Sequence, residues 1–244
     1  KEINEFSKHT FEAYSKSIHT LAKPYAKEVI SKCSNKILGS VATCDPKSIG
    51  QNIFKPSIEW SDFEVESRYK ILTSVANSIE NQRAKFSYLL MHEAGKTLED
   101  SIDEIREAVD FLRYYAQQAI GLKSLTQRGP TGEDNVLEYC SKGTVLCISP
   151  WNFPLAITIG QIAAALAAGN TVVSKPSEHT SIIAYEAINL FFEHGLPEDA
   201  LHLLLGDGSL GKAVITGQAI DLVAFTGSLK TAKSIHKRLS KKAG

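Results

Sequence analysis

The chain has no surplus of charge: 27 Lys plus Arg balance 27 Asp plus Glu over 244 residues. Without a basic excess there is no electrostatic footprint for nucleic acid or an anionic membrane surface. Long apolar runs are also missing, since nothing approaches the roughly 20 apolar residues of a membrane span. Cysteine is scarce. Cys33, Cys44, Cys140 and Cys147 form no Cys-x-x-Cys, and no His stands beside them at zinc-ligand spacing. A disulfide scaffold and a structural zinc site are thereby excluded, and reduced thiols in the cytoplasm are expected. The opening KEINEFSKHT has neither an initiator Met nor a signal-peptide core. With the equally abrupt basic run Lys230–Lys242 at the other end, this leads us to expect a piece of a longer protein. What the sequence does have is 43% apolar residues, enough to build a core.

Residues 1–56 read as a helical segment, with stretches at 4–20 and 24–37, broken by Gly39, Pro46, Gly50 and Pro56. A helical layer follows over 57–123. Ser61-Asp62-Phe63-Glu64 reads as a capping box, and Thr97-Leu98-Glu99-Asp100 opens a longer helix that Gly121 stops. That helix carries an apolar stripe through Ile102, Ile105, Val109, Leu112 and Ala116, with Tyr114 and Tyr115 expected in the core. A polar bridge spans 124–142. From 143 to 244 apolar runs without alternation, TVLCI, TVVS and LVAF, alternate with helical stretches, as in strands buried on both faces of a parallel sheet. The expected fold is α/β, a helical N-terminal layer followed by a Rossmann-like open parallel sheet, truncated.

Ligands of such sheets bind beyond the carboxyl ends of the strands. Four turns qualify. Gly206-Asp207-Gly208-Ser209-Leu210-Gly211 fits G-x-G-x-x-G, but the acid that should end the next strand is absent, because Thr226 stands there and Asp221 lies at the strand's amino end. It is either the pyrophosphate loop or a turn that needs small residues for packing. Phe225-Thr226-Gly227-Ser228 offers a hydroxyl and the first N–H groups of a helix to an anion. Lys175-Pro176-Ser177-Glu178 can hold ribose hydroxyls from both sides, or be a solvated turn. In Ser149-Pro150-Trp151-Asn152-Phe153-Pro154, two prolines stiffen a loop whose Asn amide suits a developing oxyanion; a rigid turn with buried aromatics is the alternative.

In this order, Gly143-Thr144-Val145, Ile148 to Leu155, ALAAGNTVVSKPSEHT (165–180), Gly195-Leu196-Pro197 and Phe225 to Ser228 resemble the aldehyde dehydrogenase superfamily. His92 to Thr97, Glu104 to Ala116, Glu138-Tyr139-Cys140 and Gly160 to Ala165 resemble a narrower branch. That branch is the glutamate-semialdehyde (pyrroline-5-carboxylate) dehydrogenase domain of bacterial bifunctional proline-utilization proteins. The resemblance implies NAD as cofactor and an aldehyde as substrate. It also implies a proline dehydrogenase domain upstream in the parent, a homo-oligomeric parent, and the start of an oligomerisation hairpin within 124–142.

Residue by residue, the resemblance implies that Asn152 donates to the oxyanion. Lys175 and Glu178 hold the adenosine ribose, with Ser177 beside them. Ile148, Ser149, Pro150 and Trp151 line the cleft, and Phe225, Thr226, Gly227 and Ser228 approach the pyrophosphate, with Gly206 near the adenine. Glu107 and Phe153 reach the aldehyde entrance. Glu178 favours NAD, since a carboxylate there repels a 2′-phosphate.

Two departures stand out. Only nine residues join Gly50 to Trp60, where family members usually carry an extra helix. The family's nucleophilic Cys and general-base Glu lie downstream of the phosphate turn, yet no Cys or Glu follows Ser228. Cys147 reads as a core residue within a buried strand. A fragment without turnover is expected. The rival readings are a non-catalytic NAD-binding module, an aldehyde dehydrogenase of another substrate class, and an oligomerisation fragment built on the helical half.

Overall fold

The computed structural model of the protein describes residues 2–15, 25–49 and 53–241. Its first segment departs from expectation. Instead of helices over 4–20 and 24–37 the chain forms a one-turn helix α1 (Glu2–Glu5) and strands β1 (Phe11–Tyr14), β2 (Tyr25–Ile30) and β3 (Ile37–Thr43). Residues 16–24 of those stretches, and the breaker Gly50, lie outside the described residues. β3 is central, parallel to β1 and antiparallel to β2. The burial of β1 has period two: Phe11 and Ala13 point inward, Glu12 and Tyr14 outward. Gly39 is not a helix breaker but a point of close approach. It pairs with Phe11, and a Cβ there would stand 2.1 Å from the Phe11 carbonyl oxygen.

The helical layer comprises α2 (Ile58–Asp62), α3 (Val65–Asn81), α4 (Arg83–Leu89) with a π turn over Leu90–Ala94, and α5 (Leu98–Gly121). The expected capping box does not form. Ser61 lies inside α2, donating to the Ile58 carbonyl, and the cap is Ser57, whose Oγ accepts from Trp60 N at 3.2 Å. The chain turns at Phe63 because Arg68 Nη1 donates to the free carbonyls of Ser61 (3.3 Å) and Phe63 (2.7 Å) at the end of α2. Trp60, fully buried, donates Nε1–H to the Leu166 carbonyl at 3.1 Å and so pins the layer to the following domain. Thr97 caps α5 as expected, accepting from Asp100 N at 3.1 Å. The buried face of α5 runs through Ser101, Glu104 and Ala108 beside Ile105, Val109, Leu112 and Ala116. That rotation turns Ile102 and Tyr114, both expected inside, out to solvent. Strands β4 (Leu125–Arg128) and β5 (Asp134–Leu137) then form an exposed antiparallel ribbon.

The remainder alternates as expected: β6 (Thr144–Ile148), α6 (Ala156–Ala167), β7 (Thr171–Lys175), α7 (Ser181–Glu193), β8 (Leu201–Leu203), α8 (Gly208–Gly217), β9 (Leu222–Phe225) and α9 (Leu229–Leu239). The four strands are parallel in the order β8-β7-β6-β9. Successive residues face opposite layers. Val145, Cys147 and Val172 pack with α6 and α7, while Leu146 and Val173 pack with Leu210, Val214, Ile215 and Ile235 of α8 and α9. The chain runs outward from β6 to β8 and returns to β9 on the other side, so the switch point lies between β6 and β9. The amino end of β6 is tied twice. Asn170 Oδ1 accepts from Lys142 N and Gly143 N, and Asp221 Oδ2 accepts from Thr144 N at 2.8 Å. Asp221 is therefore a strand fastener. Gly143, with φ of 124°, leaves room for it, since a Cβ there would collide with the Asp221 carboxylate.

Candidate functional site

A cavity of about 640 Å³ opens at the switch point, and most of the expected residues meet in it. Ile148, Ser149, Pro150, Trp151 and Asn152 arrive from the end of β6. Lys175, Ser177 and Glu178 come from the end of β7, and Phe225, Thr226, Gly227 and Ser228 from the end of β9. The two sides are stitched together. Thr226 N donates to the Ile148 carbonyl at 3.1 Å, and Gln161 Nε2 reaches both that carbonyl (3.3 Å) and Thr226 Oγ1 (3.1 Å). Ser149 Oγ and Thr158 Oγ1, 2.6 Å apart, anchor the turn to α6.

Two helix amino ends face this region, and they are not equivalent. At α8 the Asp207 carboxylate accepts from Ser209 N (2.8 Å) and Ser209 Oγ (2.5 Å), bonds that hold it below the usual carboxylate range. A fixed negative charge already occupies the place a phosphate would take, so the G-x-G-x-x-G match is not an anion loop. At α9 the cap is neutral, Ser228 Oγ accepting from Thr231 N at 3.2 Å. The amino end of α9 is thus the one suited to a diphosphate. Lys175 is nine-tenths buried or more, its Nζ donating to the Pro176 carbonyl at 3.0 Å and standing 3.8 Å from Glu178 Oε2. Burial lowers its pKa, and Glu178 and Asp207 oppose that shift. Glu178 itself is half-exposed and open to hydroxyl donors.

The cavity fits an adenosine diphosphate moiety. Ile215 and Ile235 offer apolar walls, and Gly208 leaves open space, since a Cβ there would meet nothing within 4 Å. Sequence reasoning missed Gly208, Gly211, Lys212 and Arg238, which also line it. The positions of Gly208 and Gly211 inside the discounted glycine motif were the available signal. It also missed Glu104 and Glu93, which cap the helices framing the cleft. Neither α6 nor α7 has a side-chain cap of its own. Glu104 Oε1 accepts from Leu155 N (2.8 Å) and Ala156 N (3.1 Å), and Glu93 accepts from Ile182 N (2.9 Å) and Ile183 N (2.8 Å). Burial, the dominant influence, raises both carboxyl pKa values, Glu93 to about 7. An acid within the apolar stripe of α5 was the sign of Glu104.

Gly206, expected near the adenine, does not line this cavity, and Glu107 and Phe153, expected at the aldehyde entrance, lie outside it as well. Gly206 lines an adjoining groove of about 630 Å³ bounded by β2 and β3 and sharing Glu178, because its strand end faces the amino-terminal sheet. Glu107 is on the exposed face of α5, and Phe153 lies under the Lys96 ammonium; neither lines the cavity. Trp151 and Phe153 are 54% and 39% exposed, so the turn is not built on buried aromatics. All four thiols are free. Burial pushes the Cys147 thiol up to about 12, which leaves it protonated and unfit as a nucleophile.

The aldehyde dehydrogenase family model matches residues 20–243. The bifunctional protein PutA of Rhizobium meliloti is 47% identical over 152 residues, covering 62% of this chain and 11% of that protein. A 1-pyrroline-5-carboxylate dehydrogenase from Anoxybacillus flavithermus is 36% identical over 184 residues, covering 75% of this chain and 36% of its own. Among solved structures, a betaine aldehyde dehydrogenase from Staphylococcus aureus in complex with NAD+ superimposes with a TM-score of 0.84 at 26% identity, over 94% of this chain and 49% of that one. The chain thus spans well under half the length of the curated relatives named here.

Proposed function

This chain belongs to the aldehyde dehydrogenase family, and we propose that it is the cofactor-binding part of an enzyme that oxidises L-glutamate γ-semialdehyde to L-glutamate with NAD, in the cytoplasm, during proline catabolism. The carrying observation is the convergence of Lys175, Ser228 and the Asn152 turn on one cavity at the sheet's switch point. NAD held there would supply the acceptor for the hydride that leaves the substrate carbon. Lys175 and Glu178 hold the adenosine ribose, and the amino end of α9 with Ser228 faces the diphosphate. Asn152 donates its side-chain N–H to the oxygen that turns anionic when a thiolate adds to the aldehyde. Hydride departure leaves a thioester, which water hydrolyses to the acid. The thiolate and the base that activates that water are assigned to the part of the parent enzyme that this chain does not span, since Cys147 is a buried thiol. The similarity to bifunctional PutA supports a proline dehydrogenase domain upstream in the parent. The lone β4–β5 ribbon, with Leu125, Val136 and Leu137 exposed, supports an oligomeric parent.

Calorimetric titration of the 244-residue chain with NAD is the direct test. Binding is expected, weakened about ten-fold or more by Lys175→Ala, since charge-assisted hydrogen bonds are the strong ones. Glutamate semialdehyde plus NAD is expected to give no turnover with this chain alone. Absence of binding, or saturable oxidation by the isolated chain, would overturn the proposal.

A further inference from the structure

We propose that Lys96 is a positioning residue for Asn152, tying the helical layer to the amide-bearing turn through Glu104 and Phe153. The inference rests on the reading of Asn152 as the oxyanion donor. Asn152 is exposed, and so are its two neighbours, Trp151 and Phe153. The hydrophobic core therefore does not hold the turn by itself. Each flanking ring is instead covered by an ammonium from a different layer. Lys96 Nζ stands 3.9 Å from the Phe153 ring centroid, and Lys32 Nζ, from the turn between β2 and β3, stands 5.9 Å from that of Trp151.

Lys96 is the better anchored of the two. Its Nζ lies 2.5 Å from Glu104 Oε2, its side chain is only 13% exposed, and its backbone N–H donates to the Leu90 carbonyl at 3.1 Å. The other oxygen of Glu104 accepts the N–H groups of Leu155 and Ala156, directly after the turn. One buried carboxylate thus fixes both the start of α6 and the cation lying on Phe153. With the Lys96 side chain largely withdrawn from water, its ammonium over the half-exposed Phe153 face is a directional restraint. An oxyanion donor is effective only when it needs no reorganisation as charge develops, and it draws that rigidity from its supporting shell.

The test is a double-mutant cycle in the complete enzyme that contains this chain. Lys96→Met is expected to lower kcat about ten-fold with the KM for NAD changed less than about two-fold, and Lys96→Arg to recover most of the loss. In an Asn152→Ala background, Lys96→Met is expected to have no further effect, the signature of two groups acting through one interaction. Phe153→Leu breaks the same restraint from the exposed side of the turn, so it serves should Lys96→Met impair folding, and it is expected to reproduce the kcat loss. Wild-type kcat in both variants overturns the inference, as does a loss that persists undiminished on Asn152→Ala. An unchanged kcat in Asn152→Ala alone would instead sink the donor reading, and the Lys96 role with it.

Discussion

Replacing Asn152 by alanine in the complete enzyme is expected to lower kcat by about 10²–10³-fold, the usual loss when one oxyanion donor is removed. The turn is anchored on both sides. Pro150 and Pro154 fix the backbone on either side, Ser149 is locked to Thr158, and Glu104 holds the first N–H groups of α6 just beyond. The amide itself is exposed at the cavity wall, where an aldehyde oxygen could reach it. Under the proposed function Asn152 donates to a charge that exists only after thiolate addition, so the loss is expected in kcat and kcat/KM together, with the KM for NAD within about two-fold of wild type. Steady-state kinetics with glutamate semialdehyde settle it. A kcat within about three-fold of wild type would mean that other donors carry the oxyanion.

The site is assembled across layers rather than within the sheet. The strands bring three turns to one switch point, but the helices that follow β6 and β7 begin without caps of their own. Both are capped from outside, α6 by Glu104 of α5 and α7 by Glu93 of the π turn after α4. A buried carboxylate against a helix amino end is favoured by the N–H groups and the dipole, and opposed by desolvation. The helical layer is therefore a brace for the turns at the switch point.

Much of this was legible from residues. TVLCI and TVVS announce strands because burial on both faces of a parallel sheet removes polar alternation, whereas LVAF, expected to be equally buried, is an edge strand whose residues are exposed or half-buried; β6 and β9 still begin and end where the sequence placed them. The turns at Asn152, Lys175 and Ser228 were legible because each carries a polar side chain straight after such a strand. The amino-terminal sheet was not. β1 has only four residues, and its alternation of Phe11, Glu12, Ala13 and Tyr14 is too short to stand out against helical spacing nearby. Nor could local pattern reveal that Glu104 caps a helix 51 positions away, or Glu93 one 89 positions away. Ser61 misled for the converse reason: the motif was present, but Ser57, four residues earlier, took the cap once Trp60 turned into the core.

Glu93 should give the fold a pH dependence with a definite sign. Its carboxyl is buried, and desolvation, the largest influence, raises its pKa from 4.5 to about 7 against the opposing pull of the Ile182, Ile183 and Ser181 N–H groups and of Lys32. Between those two values the folded state binds a proton that the unfolded chain has released. Stability contributed by protonated Glu93 is therefore complete below 4.5 and is lost as pH rises through 7. The shift corresponds to about 3 kcal/mol, on the order of 2–4. The neighbouring His92, whose pKa burial lowers, works in the opposite direction, its contribution disappearing as pH falls. A comparison with Glu93→Gln cancels that term, because His92 is present in both proteins. In urea unfolding at pH 5, 6, 7 and 8, wild type is expected to lose stability relative to Glu93→Gln by about that amount across the series. A flat difference would mean that the paired N–H groups and Lys32 outweigh desolvation and keep Glu93 ionised throughout, making the cap on α7 a permanent buried charge.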